Sequence, residues 1–269
     1  MEITKAKTIV IKVGTSTLTY PSGKLNLRCM ESLCKTVSDL QNSGKKIILV
    51  SSGAIGVGVG KMNLSERPAD TAKKQALAAV GQLELMFMYD KFFGEYNRNV
   101  AQILLTADVT TDPIRRKNAK NTFAELLSMD IIPIVNENDT VSTDELEGIK
   151  IGDNDTLSAI VAELVGADAL VILTDIDGMY DSNPKENPDA HRIPYVREIS
   201  PEIEALAGGA GSSLGTGGMA TKVKAAKIAT AAGIVTAILS SDNSENLYDL
   251  LEGRDIGTVF GVPWKPSDD

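Results

Sequence analysis

Seven short runs of aliphatic and β-branched residues recur along the chain, and most are separated by stretches with helical periodicity. They occupy residues 8–13, 46–51, 100–105, 131–135, 169–174, 234–239 and 257–260. Most are apolar along nearly their whole length, with little polar alternation, which is the pattern of strands buried on both faces. Parallel strands need crossover helices, and the intervening stretches supply them. The predicted fold class is therefore α/β, a three-layer α/β/α sandwich with a central, mostly parallel sheet. Helix limits follow from their end signals. Asn26 caps a helix closed by Gly44, a long pattern runs from 70 to 96, and Asp112-Pro113 opens a helix reaching 128. Asp153 or Asn154 caps the next, over 156–165, and further helices are expected over 219–232 and near 244–251. No repeat or interdomain linker breaks the pattern. One domain is expected over 1–260, with 261–269, including the lone Trp264, as a peripheral tail.

Composition narrows the chemistry. A formal charge of −9 and a pI near 4.8 argue against nucleic acid or an anionic membrane as the partner. An anionic ligand would have to be held by local groups. The single histidine, His191, sits in a polar loop predicted to face solvent. A histidine metal cage and a Ser-His-Asp triad are thereby disfavoured, and catalysis falls to Lys, Asp, Asn and backbone groups. Cys29 and Cys34 lie five apart in a helical pattern and read as reduced core thiols. No apolar window reaches the roughly 18 residues of a membrane span, and the N-terminus has no leader pattern, so a cytoplasmic protein is expected.

Three glycine-rich turns, at 14–16, 53–60 and 208–218, fall at strand-to-helix junctions, where backbone N–H groups can meet phosphate oxygens. GxxxxGK[ST], GxGxxG and the protein-kinase loop signatures are all absent, which leaves a phosphate site of another kind. Lys12 interrupts an apolar strand, a costly place for an ammonium group unless an anion meets it. Other residues fit two readings each. Lys222 suits a solvated helix or a phosphate, Asp155 a helix cap or a charge partner, Asp175 a strand end or a ligand contact, and Ser51-Ser52-Gly53 an N-cap or a binding turn. All sit at strand ends or helix starts, where open α/β sheets gather ligands. The stretch 136–155 adds seven acidic residues (Glu137, Asp139, Asp144, Glu145, Glu147, Asp153 and Asp155) against one base, Lys150.

Six collinear motifs carry a resemblance to a known family. They are Val10-Ile11-Lys12-Val13-Gly14-Thr15-Ser16, Ser51-Ser52-Gly53-Ala54-Ile55, Asn136-Glu137-Asn138-Asp139, Gly152-Asp153-Asn154-Asp155, Leu173-Thr174-Asp175-Ile176-Asp177-Gly178-Met179-Tyr180 and Gly215-Thr216-Gly217-Gly218-Met219-Ala220-Thr221-Lys222. Together they resemble the amino acid kinase family, in particular its branch acting on glutamate. The resemblance implies that ATP, with Mg²⁺, phosphorylates the L-glutamate side-chain carboxylate as the first step of proline synthesis. It implies that Lys12 and Lys222 meet the phosphates and that Asp155 holds both ammonium groups. By the same resemblance Thr174, Asp175, Thr216, Gly217, Gly218, Met219, Ala220, Thr221 and Lys222, with Lys12, line the ATP site. Ser52, Asp139 and Asn154 would bind glutamate, Asp139 through its ammonium and Asn154 through a carboxylate. Metal ligands stay open, and Glu145 and Glu147 carry no role. A homo-oligomer (dimer or tetramer) is expected, with the 70–96 helix as one interface, and L-proline as a feedback inhibitor. Many bacterial relatives carry a further C-terminal PUA domain; a single-domain form is expected here. The competing readings are a sibling kinase acting on aspartate and a non-catalytic amino-acid sensor.

Overall fold

The computed structural model describes residues 2–141, 153–184, 186–208 and 218–261. In chain order it contains β1 (Thr8–Val13), α1 (Thr15–Leu18), α2 (Leu27–Asn42), β2 (Lys46–Ser51), α3 (Ala54–Lys61), α4 (Thr71–Gly94), β3 (Val100–Leu105), α5 (Pro113–Ser128), β4 (Ile132–Glu137) and α6 (Asn154–Val165). There follow β5 (Ala169–Thr174), β6 (Met179–Tyr180), β7 (Arg192–Ile193), β8 (Tyr195–Val196), α7 (Pro201–Ala207), α8 (Met219–Ala231), β9 (Val235–Ser240), α9 (Asn246–Leu251) and β10 (Thr258–Phe260). The main sheet has the order β3-β4-β2-β1-β5-β9-β10-β8, and β6 pairs with β7 in a separate antiparallel ribbon. Every pairing in the main sheet is parallel except β10 with β9. The mostly parallel three-layer α/β/α prediction therefore holds.

Local signals act as expected. Asn26 Oδ1 accepts from the Cys29 amide at the start of α2, and the chain leaves that helix through Gly44 at φ 89°. Asp112 accepts from the Ile114 and Arg115 amides ahead of Pro113, and Asp153 Oδ1 accepts from the Thr156 amide at 2.8 Å. Cys34 is buried and Cys29 partly so, both as free thiols. His191 is exposed, as predicted.

The pleat divides the apolar residues between two cores. Ile9, Ile11 and Val13 of β1 join Met30, Leu33, Leu85 and Phe93 in the layer of α2 and α4. Val10 joins Leu157, Val161, Val223 and Ala226 in the layer of α6 and α8. Period-two alternation then places Lys12 on the α6/α8 side, at the last turn of the pleat before the strand ends. No helix among the described residues is long and apolar enough to cross a membrane.

The 53–60 glycines differ from expectation. Only Gly53, at φ 100°, lies in the turn; Gly56, Gly58 and Gly60 lie inside α3. A Cβ at Gly58 would stand 2.1 Å from the Leu77 carbonyl oxygen, and one at Gly60 would stand 2.4 Å from Gly23 backbone. From the other side, a Cβ at Gly81 of α4 would stand 1.8 Å from the Ala54 carbonyl oxygen. Gly58 and Gly81 thus allow the close crossing of α3 and α4, and Gly60 the approach of the Gly23 turn. On α4, Leu77, Leu85, Tyr89 and Phe93 are buried, whereas Leu83 and Phe87 stand 68% and 61% exposed.

Candidate active site

The parallel strands β1, β2, β4 and β5 all end at the same edge, and a cleft of about 1470 Å³ opens there. Lys12 and Gly14 line it from β1, Ser52 and Gly53 from β2, Asn136, Glu137 and Asp139 from β4, and Thr174 and Asp175 from β5. The starts of α6 and α8 add Asn154, Asp155, Gly218, Met219 and Lys222. Sites scattered over more than two hundred positions of sequence thus meet at one sheet edge.

At the floor stands a buried charge cluster. Asp155 Oδ1 lies 2.7 Å from Lys12 Nζ, and its Oδ2 lies 3.2 Å from Lys222 Nζ. The three side chains are 1%, 8% and 5% exposed respectively. The Thr221 hydroxyl donates to Asp155 Oδ2 at 2.7 Å, fixing the carboxylate from a third side. Burial works to raise the Asp155 carboxyl, but the two ammonium groups outweigh it and hold the carboxyl below its usual range. Burial lowers Lys12, and Asp155 opposes that without cancelling it. Two ammoniums and one carboxylate leave a net positive charge at the floor, inside a chain whose total charge is −9. This answers how so acidic a protein could hold an anion.

The opposite wall is polar. Asn154 Nδ2 donates to Ser52 Oγ at 2.8 Å and to Asn136 Oδ1 at 3.1 Å, and it lies 3.4 Å from the Ser51 carbonyl oxygen. Its nitrogen is thereby turned inward. The donor that a ligand carboxylate would need is thus already engaged by protein oxygens. Burial first, and Glu137 second, raise the Asp139 carboxyl to about 6, while Arg67 draws it down.

Placement of the other predicted residues is uneven. Thr174 donates its hydroxyl to Asp175 at 3.1 Å at the cleft mouth. Ala220 is exposed and Thr221 faces Asp155, so neither lines the cleft, while helical spacing from Gly218 and Met219 brings Lys222 in. Thr216 and Gly217 lie outside the described residues, as do Asp144, Glu145, Glu147, Lys150, Gly152, Gly215 and Trp264. Sequence reading missed Arg67, which besides Lys12 and Lys222 is the other base among the described lining residues. It sits in the exposed loop before α4, where a lone arginine next to Pro68 gives no signal. It also missed the part played by Asn136, whose side chain is 2% exposed.

The model of the "amino acid kinase family" matches residues 7–240. Among curated relatives, the chain is 57% identical over 256 residues to the glutamate 5-kinase of Clostridium perfringens, covering 95% of each protein. It is 55% identical over 256 residues to the glutamate 5-kinase of Listeria monocytogenes, covering 95% of this chain and 93% of that one. Among solved structures, the isopentenyl phosphate kinase of T. acidophilum superposes with a TM-score of 0.67 at 18% identity, over 94% of this chain and 99% of that one. The UMP kinase of Bacillus anthracis superposes with a TM-score of 0.63 at 15% identity, over 95% and 96%. These two bear on the fold alone, and they share its layered architecture.

Proposed function

This chain belongs to the amino acid kinase family, and on that footing we propose that it transfers the γ-phosphoryl group of ATP to the side-chain carboxylate of L-glutamate, forming L-glutamyl 5-phosphate at the entry to proline synthesis. The observation that carries the reading is Asp155, one carboxylate holding two buried ammoniums at 2.7 and 3.2 Å. A binding protein has no need of paired cations that gain most when charge develops between donor and acceptor. A phosphoryl-transfer enzyme does.

The chemistry asks little more of the chain. A γ-carboxylate oxygen of glutamate attacks the γ-phosphorus, the bond from that phosphorus to the bridging oxygen breaks, and ADP leaves with the electron pair. The nucleophile is already ionised at pH 7, so no general base is required. Lys12 and Lys222 neutralise the transferring group, and Asp155 aims both. The described residues contain no cluster of three metal-ligating side chains. Mg²⁺ would be carried chiefly by the nucleotide's phosphates, the usual arrangement for this ion, and would supply further charge neutralisation there. The direct test is hydroxylamine trapping of the acyl phosphate with ATP, Mg²⁺ and glutamate, aspartate or acetylglutamate. Glutamate is expected to give the highest kcat/KM; a higher value for aspartate would overturn the assignment.

Asp139 supplies a pH signature. Its carboxyl titrates near 6 in the free protein, and pairing with the glutamate ammonium would pull that value down. Affinity is then full above the free value and lost as pH falls through it. The KM for glutamate is expected to rise about tenfold between pH 7 and pH 5, and Asp139→Asn to flatten that rise. A wild-type KM constant over this range would remove Asp139 from the ammonium site. Leu83 and Phe87, exposed on α4, support a homo-oligomer; gel filtration at 28.6 kDa would count against it. L-proline, which shares the ammonium and α-carboxylate of glutamate, is proposed to compete at the same wall. Glutamate saturation curves unmoved by millimolar proline would dismiss it.

A further inference from the structure

The polar wall does not end at the cleft. Asn136 Nδ2 donates to Gln82 Oε1 at 2.9 Å, and Gln82 Nε2 donates to Gln102 Oε1 at 3.3 Å, so amides run from Asn154 through β4 and α4 to the exposed side of β3. Which end of each amide faces which neighbour is decided by groups that have no choice. The Glu137 backbone N–H can only donate, and it donates to Asn136 Oδ1 at 2.9 Å. Asn136 must therefore present its nitrogen to Gln82. The Asn154 nitrogen faces two groups that can only accept, Asn136 Oδ1 and the Ser51 carbonyl. One arrangement of the chain satisfies all of them, and it turns the Asn154 oxygen to the cleft, on the wall that also carries Asp139.

We propose that Gln82 is a positioning residue of this site: by accepting from Asn136 it locks the Asn154 amide with its oxygen toward the ligand, making Asn154 and Asp139 a paired acceptor for the ammonium of the amino-acid substrate. The inference rests on the amino-acid acceptor proposed above. Its consequence is selectivity. An acceptor carrying the γ-carboxylate without the ammonium gains nothing from Gln82. Without Gln82 neither orientation of the buried Asn136 amide is satisfied. As it stands its nitrogen has no acceptor, and turned over that nitrogen meets the Glu137 N–H and the Asn154 nitrogen, so its hold on Asn154 weakens.

Steady-state acyl-phosphate formation with glutamate and with glutarate, which lacks the ammonium, tests this in the full-length protein. Gln82→Met removes the acceptor at nearly constant volume. It is expected to raise the KM for glutamate about tenfold, with kcat and the KM for ATP changed less than about twofold, and to leave glutarate kinetics unmoved. Gln82→Glu keeps an acceptor facing Asn136, while the exposed Gln102 can turn its own amide to donate, so the glutamate preference should return. Gln82→Lys can only donate at that point and should behave like Gln82→Met, so either variant decides the matter if the other folds poorly. Equal losses for glutamate and glutarate, or a Gln82→Glu protein as impaired as Gln82→Met, would overturn the proposal. A wild-type protein that forms no acyl phosphate from glutamate would instead overturn the functional reading, and this inference with it.

Discussion

Asp155→Asn is expected to lower kcat about a thousandfold, with a KM for glutamate changed only several-fold. Removal of a single preorganised charge-stabilising group typically costs 10²–10³ in kcat, and here one substitution disturbs two such groups at once. The asparagine is nearly isosteric, yet it leaves two ammoniums facing each other at a floor where Lys12 and Lys222 are 8% and 5% exposed. Burial already lowers Lys12, and Asp155 is the main force opposing it. Without that carboxylate the Lys12 ammonium loses its proton at a lower pH, since the folded-state value moves further down. As pH rises, the residual activity of the variant should therefore fall at a lower pH than that of the wild type. Lys222→Ala removes one ammonium and is expected to cost about a hundredfold in kcat, chiefly in turnover and not in glutamate affinity. A kcat within tenfold of wild type for Asp155→Asn would mean that the cluster is structural.

Gly81→Ala should be the most damaging glycine-to-alanine change among the described residues. The added methyl would stand 1.8 Å from the Ala54 carbonyl oxygen and 2.5 Å from the Gly58 amide nitrogen, both backbone atoms that no rotamer change can move. Helices α3 and α4 would have to part, and overpacking of this kind costs about 3 kcal/mol or more. For a domain of this size that is a fall of roughly 6–12 °C in Tm. The change also reaches the site, because Gly53 and Ala54 at the start of α3 line the cleft. Thermal denaturation checks it, with Gly94→Ala as the control, since a Cβ at Gly94 meets nothing within 4 Å. An unchanged Tm for Gly81→Ala would show that the helix crossing is looser than these distances indicate.

The sheet was legible because its signals are local. Strands at 46–51, 100–105 and 169–174 match β2, β3 and β5 to the residue, since each is an apolar run between turn formers. Lys12 was legible for the opposite reason, as the one charged residue in the interior of such a run. The features that escaped depend on neighbours far away in sequence. Whether Gly58 serves a phosphate or a helix is decided by Leu77, and nothing near residue 58 says so. Thr221 was expected in the nucleotide wall because its motif contains it, but the 3.6-residue turn of α8 sends it to Asp155 and sends Ala220 to solvent. Gln82 and Asn136 are ordinary polar residues on a helix and a strand. Only the packing of α4 against the ends of β3 and β4 makes them part of one wall. The short α7 and β8 lack any periodic run long enough to read.

The way Lys12 reaches its place limits how the gene can change. Nothing but strand pleat points that ammonium toward α6 and α8, and β1 is locked in register on both sides, with Lys12 opposite Val50 and Ile172. Deleting or inserting a single residue early in the strand would turn the lysine toward Met30 and Leu33 and bring an aliphatic side chain up to Asp155. Point substitutions at positions 9, 10, 11 or 13 can be absorbed by repacking, but length changes there cannot. Natural or engineered variation in this strand should therefore come as exchanges of residues, never as single-codon gains or losses.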